Sequence, residues 1–331
     1  MTAQHADVFR STTAVTAAQA MVAADAALTT GVLQRTWPTG FTPLDAQLGG
    51  GLQSGDLALL AGPQGTGKTT MALQMARNVC VAGGEAVYVC YEHTPEQLVE
   101  KLLIMELALH AGPTGPSYDV VRRRVASGGV GFTAALRGLP GAEDGLEAFK
   151  EYSTRLTLVG ARGDVTGLED VRALAVDCDG PPLVVVDYLQ KVWAGDLGDE
   201  DVRVARIATG LKDLALERSC PVLAVTAVDR VGLDARRIRA RHLKGSVTLA
   251  YEADVVLVLQ DKFDVVARQH LVYDLTAAQD HHRWVVCTVE KNRHGRDHGE
   301  LEFEKRLSHG HFVPGGRVVE EDLVDERVHL E

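Results

Sequence analysis

The segment Gly62–Thr69 constrains this chain more than any other part of its sequence. It reads Gly-Pro-Gln-Gly-Thr-Gly-Lys-Thr and matches the P-loop pattern G-x-x-x-x-G-K-[ST]. A strand-like run, Leu57–Ala61, precedes it and a helix-like run, Thr70–Cys80, follows it, which is the context that this motif requires. Its glycines let backbone N–H groups surround a polyphosphate at a helix N-terminus. The sequence therefore predicts a nucleoside triphosphate site.

The motif also assigns roles to single residues. Lys68 is expected to reach the β- and γ-phosphates of ATP, and the Thr69 hydroxyl to hold Mg²⁺. Asp187 ends the apolar run Leu183–Val186, a Walker B pattern in which the acid supports Mg²⁺, although a strand can also end in Asp by chance. The predicted nucleotide-binding residues are Gly62, Gln64, Gly65, Thr66, Gly67, Lys68, Thr69, Thr70, Arg77, Thr226 and Arg230.

Glu92 follows another apolar run, Ala86–Cys90. A carboxylate there would lie near the γ-phosphate, where it can orient or deprotonate the attacking water. Alternatively, Glu92 interacts with the dipole of the helix that follows it. From the residues alone both interpretations stay open.

Strand-like and helix-like segments alternate along the chain. Apolar runs occur at 57–61, 86–90, 156–159, 183–186, 222–226, 255–259 and 284–289, and helix-period stretches at 70–81, 95–110, 168–178 and 202–218. Short apolar strands that alternate with helices are typical of a parallel sheet covered on both faces. We therefore predict an α/β fold, with Thr94 and Gln97 capping the helix at Pro95. The Gly- and Pro-rich region 111–147 is expected to form short helices and loops on the surface.

The composition limits the class of protein. A chain of 331 residues, 46% of them hydrophobic, can form one large domain with an appendage or two small ones. No apolar run reaches the length of a membrane span. The five cysteines include no C-x-x-C pair, which predicts reduced thiols in a cytoplasmic protein. The net charge of −11 disfavours non-specific wrapping of nucleic acid, but leaves room for a local basic surface.

Three regions are predicted. Residues 1–36 form an N-terminal arm, in which 13–33 reads as a short amphipathic helix that either docks or stays partly disordered, and which could bind a protein partner. Residues 37–315 form the α/β domain. Residues 316–331 carry six acidic and two basic side chains and are expected to be a solvated tail.

Several segments, in order, resemble the ATPase domain of the DnaB-type hexameric helicases, within the wider RecA-like fold. They include the P-loop, the strand ending before Glu92, Asp187-Tyr-Leu-Gln190, Glu252-Ala-Asp254 and Lys291-Asn-Arg-His-Gly295. The resemblance covers about residues 37–315. It implies a RecA-like ATPase that uses ATP and Mg²⁺, has Glu92 and Asp187 as catalytic residues, and forms a homo-oligomeric, hexameric ring.

The resemblance also implies that Lys291 and Arg293 act in trans. In such rings these cations reach into the neighbouring subunit's nucleotide site, as an arginine finger does. The alternative is a pair of solvated cations after a strand. Two departures from the family stand out: Ala227 replaces a sensor glutamine, and only some 36 residues precede the domain in place of a primase-engaging domain.

A basic segment lies between Arg236 and Ser246. The resemblance places it where pore loops grip single-stranded DNA, and its predicted DNA-binding residues are Arg236, Arg237, Arg239, Arg241, Lys244 and Ser246. A solvated helix face and an intersubunit salt-bridge strip are the alternatives. The sequence thus predicts a helicase-like or translocase-like ring ATPase, or else a regulatory or assembly ATPase, or an inactive scaffold, of the same fold.

Overall fold

The computed structural model describes residues 15–29, 36–129, 131–195, 198–245, 247–267, 279–295 and 298–324. Two units are distinguished, residues 1–35 and residues 36–331. The first unit contains helix α1 (Ala17–Thr29). Of the helix predicted over 13–33, residues 13–14 and 30–33 lie outside the described residues, and residues 15–16 precede α1. Among the described residues, no helix combines the length and the apolar character needed to cross a bilayer.

The second unit is built on a mostly parallel sheet. Strands β1 (Thr36–Trp37) and β2 (Leu52–Gln53) form a separate two-stranded antiparallel sheet. The described strands of the main sheet are β3 (Leu57–Ala61), β4 (Ala86–Cys90), β5 (Leu156–Gly160), β6 (Leu183–Asp187), β7 (Val222–Thr226), β8 (Val255–Asp261), β9 (Trp284–Asn292), β10 (Gly299–Arg306), β11 (His311–Phe312) and β12 (Arg317–Val318). In the described residues the main sheet runs β11-β10-β9-β8-β3-β7-β6-β4-β5, with β12 beside β10. The strands from β8 to β5 are parallel, which confirms the predicted fold class.

Helices cover both faces of this sheet. The described helices of this unit are α2 (Thr42–Gln47), α3 (Lys68–Val81), α4 (Pro95–Ala111), α5 (Tyr118–Gly128), α6 (Phe132–Leu136), α7 (Ala142–Ser153), α8 (Leu168–Val176), α9 (Glu200–Arg218), α10 (Arg230–Asp234), α11 (Val247–Glu252) and α12 (Lys262–Val265). Helix α4 begins at the predicted capping box, in which the Gln97 N–H donates to the Thr94 hydroxyl and the Thr94 N–H to the Gln97 side chain.

The core lies between the sheet and these helices. Every residue of β3, β4, β6 and β7 is buried, as expected for parallel strands covered on both faces. All five cysteines are free thiols: Cys80, Cys90, Cys220 and Cys287 are buried, and Cys178 is half-buried.

Two sequence-based expectations need correction. Region 111–147 is not merely a surface region, because Val121, Leu136 and Ala142 pack with residues of α4 in a second apolar cluster. The tail is not simply solvated either. Strand β12 pairs with β10, and the Glu321 carboxylate lies 2.6 Å from the Lys262 ammonium, so the tail up to residue 324 is attached to the domain.

Candidate active site

Four strand ends meet at the carboxyl edge of the parallel sheet. In register, Cys90 pairs with Asp187, Asp187 with Val225, and Ala61 with Thr226. The residues that follow these positions line a cavity of about 570 Å³. It brings together the following predicted residues: Gly62, Gln64, Gly65, Gly67, Lys68, Thr69, Thr70, Glu92, Asp187 and Thr226.

The backbone of the P-loop depends on its glycines. At Gly62, where φ is 151°, a Cβ atom would lie 2.3 Å from the Leu259 carbonyl oxygen. At Gly67, which precedes α3 with φ 92°, it would lie 2.6 Å from the Phe312 ring. The Thr66 hydroxyl donates to the Pro63 carbonyl at 2.9 Å and tightens the turn. Only glycine satisfies both positions, which gives the motif its physical basis.

Lys68 lies against the loop that it follows. Its ammonium donates to the carbonyl oxygens of Gly62, at 2.9 Å, and Pro63, at 2.7 Å. Burial lowers the pKa of Lys68, and the carboxylates of Asp187 and Glu92 act in the opposite direction. A partly desolvated cation at the mouth of a glycine loop is suited to bind phosphate.

Asp187 and Thr69 supply oxygen ligands of the kind that Mg²⁺ prefers. Asp187 is buried and accepts hydrogen bonds from the Thr69 side chain and from the Tyr88 hydroxyl, the latter at 2.8 Å. Burial raises the pKa of Asp187, and the two hydrogen bonds counteract part of that effect. A carboxylate beside a hydroxyl at the end of a P-loop would suit a hydrated Mg²⁺, which would neutralise phosphate charge there.

Glu92 faces the same cavity but remains open to solvent. Its side chain is 42% exposed, and its carboxylate lies 3.5 Å from the Lys191 ammonium. That ammonium lies 5.1 Å from the centroid of the Tyr188 ring, which also lines the cavity. A solvated carboxylate held at the rim can orient a water molecule beside a phosphate.

Two predicted nucleotide ligands lie elsewhere. The Arg77 guanidinium forms two hydrogen bonds to the buried Glu106 carboxylate, at 2.6 and 2.8 Å. The prediction that Arg77 binds nucleotide is therefore not supported, because the two N–H groups that could bind a phosphate already bind Glu106 between α3 and α4. Arg230 is exposed at the start of α10 and does not line the cavity.

Lys291 and Arg293 lie at the opposite, amino edge of the sheet. Lys291 pairs with Val256 near the start of β8. Its ammonium donates to the carbonyl oxygens of Ala250, at 2.7 Å, and Ala253, at 2.5 Å, and the Arg293 guanidinium lies 3.3 Å from the Asp254 carboxylate. The two cations are thus attached to the end of α11 and do not line their own P-loop cavity.

The basic segment is largely neutralised by carboxylates of the same chain. Arg237 is 1% exposed and pairs with Glu300. Arg239 lies 2.7 Å from Glu290, a residue that a β-bulge between β8 and β9 places opposite the segment, and Lys244 lies 3.0 Å from Glu200. The prediction that Arg237 contacts DNA is wrong, because a buried, paired guanidinium cannot reach a phosphate backbone.

The remaining predicted DNA ligands differ from one another. Arg236 and Arg241 are exposed, whereas Ser246 lies outside the described residues. Two arginines of the segment therefore lie at the surface of the chain.

Sequence reasoning missed several residues of the site. The Tyr88 hydroxyl donates to the Asp187 carboxylate. In the sequence, a hydroxyl group in the otherwise apolar strand β4 is only a weak indication that Tyr88 belongs to the site. Leu307 lines the cavity from a turn after β10, more than two hundred residues along the chain, and no local pattern indicates this.

Two families match the sequence. The one described as "AAA domain" matches residues 32–229, and the one described as "DnaB-like helicase C terminal domain" matches residues 165–311. The chain is 27% identical over 228 residues to the replicative DNA helicase DnaB of Haemophilus influenzae, covering 67% of this chain and 45% of that one. It is 30% identical over 207 residues to DnaB of Nostoc sp., covering 60% and 21%. The chain thus spans less than half the length of these relatives.

Two solved structures share the fold. The ATPase domain of G40P aligns with a TM-score of 0.69 and 19% identity, covering 90% of this chain and 98% of that one. A DnaB-like replicative helicase, solved in a study of its interactions with primase, aligns with a TM-score of 0.66 and 19% identity, covering 91% and 67%. Both likenesses confirm the predicted RecA-like fold.

Proposed function

Because the chain belongs to the AAA-domain family of P-loop proteins, we propose that it is a helicase-like or translocase-like ring ATPase. The match of its second half to DnaB-like helicases supports this class of activity. We propose that ATP and Mg²⁺ bind at the P-loop, with Lys68 on the phosphates, Thr69 and Asp187 on the metal, and Glu92 on the attacking water. Single-stranded DNA is the proposed polymer, and a hexameric ring is the proposed assembly.

One observation supports the proposal: the predicted phosphate-binding residues and the two predicted trans-acting cations lie at opposite edges of the same sheet. The P-loop follows β3 at the carboxyl edge, whereas Lys291 and Arg293 lie beside the first residues of β8. Strands rise about 3.3 Å per residue, so the length of the strand separates the two halves. Within a ring, the cations of one copy can complete the site of the next.

Mixing two inactive variants tests this arrangement. Arg293→Ala removes the cation that acts on the neighbour, and Glu92→Gln removes the water-orienting carboxylate, so either variant alone should bind ATP but lose turnover by about 10³-fold. A mixed ring contains interfaces at which an intact Arg293 faces an intact Glu92. Steady-state ATP hydrolysis should therefore reappear in the mixture.

Two results would contradict the proposal. If the mixture stays as inactive as its components, although the variants co-assemble, then the cations do not act across an interface. If Arg293→Ala retains wild-type turnover, then the residue has no part in hydrolysis. Arg283→Ala, at an exposed arginine before β9, is the matched control and should leave turnover unchanged.

A regulatory or assembly ATPase is the second candidate function. It is favoured by the neutralisation of Arg237, Arg239 and Lys244 within the chain. It is also favoured by Ala227 at the sensor position, because a methyl side chain cannot form a hydrogen bond with a γ-phosphate. The two candidates differ in their response to a polymer. Oligothymidylate should stimulate hydrolysis by a translocase, whereas an assembly switch should change its mass with ATP and ignore the oligonucleotide.

A further inference from the structure

The Gln190 side chain joins three segments beside the P-loop cavity. It lies three residues after Asp187 and is 7% exposed. Its amide nitrogen donates to the Thr226 hydroxyl at 2.7 Å and to the Lys244 carbonyl at 2.9 Å, while its amide oxygen accepts from the Ala227 N–H at 3.2 Å. Both donors and one acceptor position of the amide are therefore used, so the rotamer is fixed from three sides.

A short backbone pairing separates the cavity from the basic segment. Thr226, Ala227 and Val228 line the cavity. The other side of this strip pairs with the end of the basic segment: the Lys244 N–H donates to the Ala227 carbonyl, and the Asp229 N–H to the His242 carbonyl, both at 2.9 Å. A displacement of the strip is thus transmitted directly to residues 242–244.

The Thr226 hydroxyl connects Gln190 to whatever occupies the cavity. It accepts a hydrogen bond from Gln190, and its own proton is directed to the Ala227 carbonyl, at a long 3.4 Å. A phosphate oxygen in the cavity is a stronger acceptor for that proton. Hydrogen bonds in such a chain strengthen one another, so a ligand bonded to Thr226 also tightens the bond from Gln190.

We infer that Gln190 is a positioning residue that makes the conformation of residues 240–245 depend on the occupancy of the P-loop cavity. This inference deepens the proposed function and rests on it. Its side-chain amide joins the cavity to the segment in a chain whose sensor position, Ala227, offers only backbone groups. The polymer-facing segment and the nucleotide then respond to each other through one side chain.

Gln260 provides a matched control. It is also a nearly buried glutamine, and it holds the other end of the same segment: it donates to the Arg236 carbonyl at 3.0 Å and accepts from the Ile238 N–H at 2.8 Å. It projects from β8, and it does not line the cavity. Its loss should loosen residues 236–238 whether or not nucleotide is bound.

Hydrogen–deuterium exchange with and without Mg²⁺ and a non-hydrolysable ATP analogue tests the inference. In the wild type, the analogue should slow exchange both in the P-loop and in residues 240–245, the latter on the order of fivefold or more. In Gln190→Met the protection of the P-loop should persist and the protection of 240–245 should disappear. Gln260→Met should keep both.

Each outcome decides a point. An unchanged nucleotide effect on 240–245 in Gln190→Met, or no such effect in the wild type, overturns the inference while leaving nucleotide binding intact. If the analogue protects no part of the P-loop, the proposed function itself fails, and the inference fails with it. If Gln190→Met does not fold, Gln190→Glu replaces it: this variant keeps an acceptor for the Ala227 N–H but loses the donors to Thr226 and Lys244, and the same loss of coupling is expected.

Discussion

The two edges of the central sheet carry cations of very different surroundings. At the carboxyl edge, Lys68 lines a cavity among glycines and donates to backbone oxygens of its own loop. At the amino edge, Arg293 lies against the buried carboxylate of Asp254 and the end of α11. The first edge is shaped to receive an external anion, whereas the second holds its cations in place by contacts within the chain.

This difference implies a division of labour within one chain. Under the proposed function, the carboxyl edge would bind and cleave ATP, and the amino edge would present a cation to another copy. The basic segment connects the two edges, because it leaves the end of β7 and returns through α11 to the start of β8. Changes to the phosphate- and metal-binding residues of the first edge should therefore act on binding, and changes at the second edge should act on turnover and stability.

Replacing Lys68 by alanine should have the largest effect. The variant loses the ammonium at the mouth of the P-loop, so we expect affinity for ATP to fall by about a hundredfold or more, and turnover with it. Equilibrium titration with a fluorescent ATP analogue measures the change. Lys150→Ala, on the exposed face of α7, is the control. Wild-type turnover in Lys68→Ala would refute the assignment of the P-loop.

Replacing Asp254 by asparagine should act at the amino edge. The buried carboxylate accepts from the Leu57 N–H at 2.8 Å, from Lys212 at 2.6 Å and from Arg293. Removing its charge leaves the Lys212 ammonium without its counter-charge and should lower the free energy of unfolding by about 3 kcal/mol.

The same variant should also lose turnover, because Arg293 loses its support, while ATP binding is retained. Denaturant unfolding and hydrolysis assays measure the two effects. Asp199→Asn is the control, since asparagine caps α9 as well as aspartate does. A drop in ATP affinity as large as the drop in turnover would contradict the prediction that the amino edge acts on turnover and not on ATP binding.

The pH dependence of metal-assisted binding should come from Asp187. Burial raises its pKa above the usual 3.8, and Mg²⁺ binds the carboxylate but not the acid. The metal-dependent gain in ATP affinity should therefore be complete above the raised pKa and decline by up to about tenfold per pH unit as the pH falls through it. Asp187→Asn should abolish the gain at every pH. Calorimetric titration with and without Mg²⁺ measures both, and a gain in the wild type that does not change with pH would contradict the assignment.

The sequence predicted the carboxyl edge better than the amino edge. The P-loop, Asp187 and Glu92 follow buried strands within short motifs, so local pattern and parallel topology suffice to bring them together. The pairing of Arg237 with Glu300 depends instead on the antiparallel pairing of β9 with β10. No short sequence pattern predicts this ion pair or the position of Leu307. Ion pairs between residues far apart in the chain therefore could not be predicted from this one sequence.

The smallest expected effect concerns the basic segment. Replacing exposed Arg236 and Arg241 together by alanine should reduce the salt dependence of oligothymidylate binding by about one unit of slope for each phosphate that is no longer neutralised, and leave stability unchanged. Arg237→Met should lower the stability and leave the salt dependence of binding unchanged, because it leaves Glu300 without its buried partner but removes no exposed charge. Fluorescence titration over a series of salt concentrations separates the two variants. If Arg237→Met flattens the salt slope and the double variant does not, the polymer approaches a different face of the segment.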